Sequence, residues 1–288
     1  MATNQPDMEM SEQDDKTDAK IYFQPPLYSQ RYMYINDLLF SANPRIEKMA
    51  DFGCSEGRFV RLVKKLPFLT QLLAVDISLV SLEECIYNAR PIPYDYIFGR
   101  FVGMDVSLIR ADVTVKDPRF RGLDVITCIE LIEHLNAKQF EEFPDTLFGY
   151  FRPRMAIITT PNKEFNVVFP QLRGTENLRH WDHKFEMTRK EFQSWTNMIC
   201  QKYNYKVRID GVGSSPSQEF GDIGFCSQIA IFERIPDLQD LSISPRPPIS
   251  DVYMSFHFPQ RTGPPPAPKN IIEDWGCNEE STAESMTA

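Results

Sequence analysis

The sequence predicts an α/β fold, a seven-stranded, mostly parallel sheet with helices on both faces, and three observations carry that expectation. Seven short apolar runs, rich in Val and Ile, alternate with four stretches of helical spacing. A glycine-containing loop, Asp51-Phe52-Gly53-Cys54-Ser55-Glu56-Gly57, follows the first run and opens the first of those helices. Acids, Asp76 and Asp112, stand just past the ends of the next two runs, where ligands bind in sheets of this kind.

In chain order, residues 1–20 carry six acids against two lysines and no apolar periodicity, so they are expected to be disordered. They resemble neither a secretory leader nor an Arg-rich transit peptide. Met49–Phe52 reads as the first strand and Arg58–Lys65 as the first helix, with Phe59, Leu62, Val63 and Leu66 at the three- and four-residue spacing of one apolar face. Gln71–Val75 and Val106–Arg110 are the next strands, with the helix Leu79–Ala89 between them. Leu123–Ile129, the helix Ala137–Phe148, and Met155–Thr159 repeat the alternation. The helix Arg189–Tyr203 then leads to two closing strands, Lys206–Ile209 and Ser227–Glu233. Residues 21–235 thus form the expected folded domain. Residues 236–288, with Ser244-Pro245-Arg246-Pro247-Pro248 and Pro264-Pro265-Pro266-Ala267-Pro268, are expected to be a disordered, Pro-rich acidic tail.

Composition excludes some function classes. The chain has 288 residues and a net charge of −9, but that charge lies in the tails, while 21–235 is neutral. A neutral core argues against a protein that coats many phosphates and depends on counterion release. It permits one that grips only an RNA end. No run of about 18 uncharged apolar residues exists, so no membrane span is expected. The six cysteines are scattered, with no CxxC pair, and read as reduced thiols, several of them buried.

In the glycine loop, Gly53 allows a tight turn and close approach of a ligand, and Gly57 allows helix to pack closely on strand. The full GxGxxG dinucleotide pattern is absent, and so is the lysine of a phosphate-binding loop. An acid at position 76, about 20 residues beyond the glycines, suits ribose hydroxyls. For Asp76 and Asp112 the competing reading is helix capping. The pattern D-x-G-x-x-x-G resembles motif I of the class I methyltransferases, whose Rossmann-like fold and S-adenosylmethionine cofactor it implies. That resemblance makes Asp51, Gly53, Ser55, Asp76 and Asp112 the expected cofactor-binding residues, with Asp112 near the adenine.

A second constellation follows the fourth strand, in Cys128-Ile129-Glu130-Leu131-Ile132-Glu133-His134-Leu135. Glu130, Glu133 and His134 fall at i, i+3 and i+4, so on a helical turn they would share one face. Two carboxylates and an imidazole suit a divalent metal; the competing reading is a solvated acidic helix start. Arg179-His180-Trp181-Asp182-His183-Lys184-Phe185-Glu186 lies beyond the fifth strand and could supply a further ligand. Spacing alone does not choose between His180 and His183. Trp181 and Trp195 read as core residues.

These segments, with Thr160-Pro161-Asn162, Glu164-Phe165-Asn166 and the opening stretch Phe23-Gln24-Pro25-Pro26-Leu27-Tyr28-Ser29-Gln30-Arg31-Tyr32, resemble the Hua-enhancer-type small-RNA 2′-O-methyltransferases, in their short animal form. The resemblance covers about residues 21–235. It implies a metal, Mg²⁺ or Mn²⁺, held by Glu130, Glu133, His134 and His183, which are then the catalytic residues. His180 falls outside the matching motif. The resemblance also implies a substrate site that includes Phe23, Pro26, Gln30, Arg31 and Tyr32, and methylation of the 2′-hydroxyl on the 3′-terminal nucleotide of small RNAs of the piRNA or siRNA type. Neighbouring 2′- and 3′-hydroxyls can chelate one cation together, which would favour a terminal ribose. The implied partners are Argonaute or Piwi proteins carrying the guide RNA, and the implied setting is cytoplasmic, including perinuclear RNA granules, with the enzyme a monomer. The rival readings are a class I methyltransferase with another acceptor, an inactive RNA-binding scaffold, and a metal-dependent hydrolase.

Overall fold

The computed structural model describes residues 23–215, 218–236 and 251–263. Helix α1 (Leu27–Ser41) precedes β1 (Lys48–Phe52), α2 (Arg58–Val63), β2 (Gln71–Asp76), α3 (Leu79–Ala89), α4 (Pro93–Phe98) and β3 (Met104–Arg110). Then come β4 (Val125–Ile129), α5 (Ala137–Pro144), β5 (Met155–Pro161), α6 (Arg189–Tyr203), β6 (Tyr205–Val212), β7 (Ser227–Arg234) and β8 (Val252–Phe258). They build one sheet in the order β6-β7-β5-β4-β1-β2-β3-β8. Neighbours from β5 through β4, β1 and β2 to β3 pair in parallel, while β7 and β8 run against their neighbours. The expected α/β class, with its mostly parallel sheet, is the observed one.

Alternation of side chains explains the two-sided cover. Leu73, Val75, Ile126, Cys128 and Ile158 point to one face, into a core with Phe143, Phe148, Phe192, Trp195 and Ile199 of the α5–α6 side. Leu72, Ala74, Val125 and Ile157 point to the other, packing with Ile35, Leu39, Phe59, Val60, Leu82 and Cys85 of α1, α2 and α3. Helix caps agree with the local sequence. Ser78 accepts from the Ser81 N–H, and Thr188 and Asn136 each form a capping box with a residue three on, Glu191 and Gln139. Pro144 lacks an N–H, so α5 ends there and the chain continues in π-type turns to Phe151. Cys54, Cys85, Cys128 and Cys226 are buried free thiols and Cys200 is half-buried; Cys277 lies outside the described residues. None of the described helices is long and apolar enough to cross a membrane.

Two expectations need correction. The sheet has eight strands rather than seven, because β8, within the expected disordered tail of 236–288, pairs antiparallel with the edge of β3. Val252, Tyr253, Phe256 and Phe258 suit a strand, and Phe258 is buried, but the stabilising partner lies some 150 residues earlier (Met104 opposite Phe258). Residues 237–250 and 264–288, and the N-terminal 1–20, lie outside the described residues. From Leu27 the opening stretch of the domain is helix α1, started by the Pro26 carbonyl accepting from the N–H groups of Ser29 and Gln30.

Candidate active site

The parallel strands β1, β2 and β4 end at one edge of the sheet, and there Tyr32, Asp51, Gly53, Ser55, Asp76, Glu130 and His134 line a cavity of about 380 Å³. That is large enough for a small ligand. A larger hollow, about 580 Å³, lies beside α4, but it lacks the convergent acids and imidazoles, so volume does not choose the site.

The loop after β1 is shaped for close approach. Gly53 (φ 74°), Ser55 (φ 48°) and Gly57 (φ 79°) all adopt left-handed backbone, and a Cβ on Gly53 would stand 3.1 Å from Leu131 Cδ1. Asp51 is buried and accepts from Thr127 Oγ1 at 2.6 Å. Burial pushes its carboxyl up to about 7, the Thr127 hydrogen bond works against that, and the nearby Asp76 adds to the rise. A cation in the cavity would reverse this penalty. Asp76 Oδ2 accepts from the Ser55 N–H at 2.9 Å and Oδ1 from the Ser78 N–H at 2.9 Å. It braces the two loops without capping a helix, since the cap of α3 is Ser78; it also lines the cavity, and each oxygen keeps a second lone pair. Asp112 differs. Its oxygens are taken by Thr114 and Gln139, and it is not among the residues lining the cavity.

Beyond β4, the expected helical face is replaced by a different geometry. Glu130 has left-handed backbone (φ 50°), and only Ile132–His134 form a turn, of 3₁₀ type, so i, i+3, i+4 spacing does not align the three side chains. Glu133, His134 and His183 nevertheless converge, with one ligand atom from each within 4.8 Å of the others. Glu130 stands beside them. Its Oε1 accepts from Thr159 Oγ1 (2.9 Å) and Ser227 Oγ (2.8 Å), and its Oε2 faces Arg31 Nη1 at 3.5 Å. The structure thus chooses His183 over His180, whose exposed ring lies 5.6 Å from that of His183 without joining the convergent set.

Each clustered histidine is held by a carboxylate. His134 Nδ1 meets Asp182 Oδ2 at 3.0 Å, and His183 Nδ1 meets Glu186 Oε1 at 2.7 Å, which leaves Nε2 of both for a ligand. Burial, and then His183, hold the His134 imidazole below its usual range despite Asp182, which favours the neutral form that a ligand needs. Glu186 is fixed in turn by Asn166 Nδ2 (2.7 Å) and the Arg179 N–H (2.8 Å), and Arg179 Nε reaches Asn166 Oδ1 at 2.5 Å. The Lys184 N–H donates to the Glu133 carbonyl at 2.7 Å, tying the histidine loop to the turn.

Glu133 supplies the test of whether a cation fits. It is fully buried; Oε2 accepts from Thr160 Oγ1 at 3.0 Å, but Oε1 has no hydrogen-bond partner among the described residues. Burial, reinforced by Glu130, pushes its carboxyl well above the usual carboxylate range. A buried, partnerless carboxylate oxygen beside two oriented imidazoles is what a divalent cation would satisfy.

Of the opening stretch, Arg31 and Tyr32 reach the site. Tyr32 lines the cavity, with its hydroxyl pushed up to about 12 by burial and by Asp51. Phe23 packs on Phe165, Pro26 starts α1, and Gln30 bridges the Pro25 carbonyl and the Gly213 N–H, so these three hold the segment in place. Sequence reasoning missed the roles of Asp182 and Glu186, although both stand in the quoted motif. Glu186→Gln is expected to cost about 10–100-fold in metal affinity, read by calorimetric titration with Mn²⁺, because the partner that orients His183 loses its charge. An affinity equal to that of the wild type would remove Glu186 from the site. Trp195 is buried as expected, whereas Trp181 is 87% exposed, a reversal of the core reading.

No family model matches the chain. A small RNA 2′-O-methyltransferase of Xenopus tropicalis is 42% identical over 213 residues, 74% of this chain and 56% of the relative. The crystal structure of the methyltransferase domain of bacterial CtHen1-C is 34% identical, with a TM-score of 0.58, covering 72% of this chain and 98% of that domain. The crystal structure of the small RNA methyltransferase HEN1 is 29% identical, with a TM-score of 0.65, over 85% of this chain and 28% of that one. The chain spans about half the length of the curated relatives it matches.

Proposed function

This chain belongs to the small RNA 2′-O-methyltransferase family, and from that membership we propose that it transfers the methyl group of S-adenosylmethionine to the 2′-hydroxyl of the 3′-terminal nucleotide of small RNAs, with a divalent cation bound at the sheet edge. The observation that carries the metal-dependent part is the convergence of Glu133, His134 and His183 around a partnerless buried oxygen.

The residues divide the work along the cavity. Asp51 supplies negative charge where the donor is cationic, Gly53 and Ser55 bring backbone close to it, and Asp76 offers its remaining lone pairs to ribose hydroxyls. Glu133, His134 and His183 would hold the cation. Glu130 is the fourth candidate, because among the described residues its Oε2 is held only by Arg31 at 3.5 Å and could exchange that partner without breaking the Thr159 and Ser227 bonds to Oε1. Its release would leave the Arg31 guanidinium, which faces Glu130, for an RNA phosphate. When bound, the cation supplies Lewis-acid stabilisation of a ribose oxygen that loses its proton, and it favours a sugar with both terminal hydroxyls free. Asp182 and Glu186 keep the two imidazoles in place, so the acceptor is oriented before transfer. Of the two ions proposed, Mg²⁺ or Mn²⁺, the mixed carboxylate and imidazole set suits Mn²⁺ more closely. Guide RNAs held by Argonaute or Piwi proteins, a cytoplasmic setting and a monomeric enzyme belong to the same proposal.

The test uses radiolabelled S-adenosylmethionine and short RNAs ending in ribose or 2′-deoxyribose, with and without a chelator. Label should pass to the ribose-ended RNA alone, and chelation should abolish it, with recovery on adding Mn²⁺. Transfer to the deoxy-ended RNA, or transfer indifferent to the chelator after metal stripping, would overturn the reading.

A further inference from the structure

The indole of Trp181 is the most exposed large apolar side chain described, at 87%, yet it stands two residues before His183. Its ring lies 5.4 Å from that of His180 at a tilt of 37°, and the His180 ring lies 5.6 Å from that of His183. Two ring-to-ring steps therefore connect a candidate ligand imidazole to a bare aromatic face. The loop that carries it is held: the Asp182 N–H donates to His180 Nδ1 at 3.2 Å, Asp182 pairs with His134, and the Lys184 N–H is bonded to Glu133. An indole left 87% exposed, on a braced loop beside the site, is available to a flat partner.

We propose that Trp181 is the platform on which the base of the 3′-terminal nucleotide stacks. The proposal rests on the reading of the site as one that takes an RNA end. If the ribose of that nucleotide sits at the Glu133–His134–His183 cluster, its base, attached to the same sugar, comes within reach of a ring two steps away. Stacking accepts any base, because every base has a π-face, so the platform would test for the presence of a base without reading its identity. That suits an enzyme acting on RNAs of many sequences. It also gives a neutral protein surface a way to hold an RNA end with few phosphate contacts.

The test compares wild type, Trp181→Ala and Trp181→Phe on RNAs whose terminal nucleotide either carries a base or is abasic, both hydroxyls being intact. For the wild type, loss of the terminal base should raise KM about tenfold or more with kcat little changed. Trp181→Ala should show the same rise on normal RNA and no further rise on abasic RNA, while Trp181→Phe keeps most of the discrimination. Tryptophan fluorescence should be quenched by base-bearing RNA in the wild type, and this quenching should be lost in Trp181→Ala. If Trp181→Ala discriminates abasic from normal ends as the wild type does, or loses equally on both, the platform is wrong. If wild type methylates no RNA at all, the proposed function fails instead, and the fluorescence titration, which needs no transfer, still decides the platform.

Discussion

Glu133→Ala is expected to lower methyl transfer by about a thousandfold or more, since Lewis-acid stabilisation is worth several kcal/mol and each ~1.4 kcal/mol is a factor of ten. Binding of S-adenosylmethionine should persist, because Glu133 is not among the residues that line the cofactor side of the cavity. The effect should exceed that of removing an exposed ligand. Glu133 is fully buried, its Oε1 finds no partner among the described residues, and its one side-chain hydrogen bond, from Thr160, serves the other oxygen. Without a cation the folded protein bears the cost of that oxygen, and with one it does not. Metal should therefore stabilise the wild type by about 2.7 kcal/mol at a hundredfold excess over Kd, a rise in Tm of about 5–10 °C. Glu133→Ala should show no such rise. Thermal denaturation with and without Mn²⁺, alongside the transfer assay, separates the possibilities. Wild-type activity in the variant, with an unchanged metal response, would mean that the cluster only builds the fold.

The sheet was legible because its signal is local and repeated. Each of the seven expected strands overlaps an observed one, and α3 and α6 run over the expected residues, since period-two and period-3.6 burial leaves its mark within each segment. Strand β8 carries the same period-two alternation, Met254, Phe256 and Phe258 against Ser255 and His257, but only over one short run. Its seven residues sit between Pro-rich stretches, and what orders them is pairing with β3, which no window of sequence contains. The site was legible in residue type and less so in geometry. His183 could be picked only through resemblance, but the structure supplies the physical reason: Glu186 holds its Nδ1, and the Lys184 amide ties the loop to Glu133. The shared helical face that spacing suggested for Glu130, Glu133 and His134 is absent: the left-handed backbone of Glu130, its hydrogen bonds from Thr159 and Ser227 and its ion pair with Arg31 set it beside the convergent three. Trp181 was misread because an indole is usually buried, and only the loop's path shows that this one faces out.

Gly57→Ala is expected to lower stability by about 2–4 kcal/mol, the joint cost of left-handed backbone and of overpacking. Gly57 has φ 79°, and a Cβ there would stand 2.5 Å from Cys85 Sγ and 3.3 Å from Asn88 Cβ, both on α3. Neither is the loose end of a long side chain, so either α3 or the cofactor loop must move. Tm should fall by about 5–15 °C for a domain of this size. Gly174→Ala is the matched control: its φ is 71°, but nothing lies within 4 Å of the added Cβ, so it bears the backbone cost alone, about 1–2 kcal/mol. Cys85→Ala removes the sulfur that the new methyl would strike, at the cost of a small void. The double variant Gly57→Ala/Cys85→Ala should therefore be more stable than the two single losses added together, by about 1–2 kcal/mol. Additive losses, or a Gly57→Ala no worse than Gly174→Ala, would show that α3 yields freely and that Gly57 is present for its backbone alone. If the coupling is found, Gly57→Ala should also weaken S-adenosylmethionine binding. The loop it displaces carries Ser55, whose N–H holds Asp76, so a clash under the loop reaches the cofactor side of the cavity through one hydrogen bond.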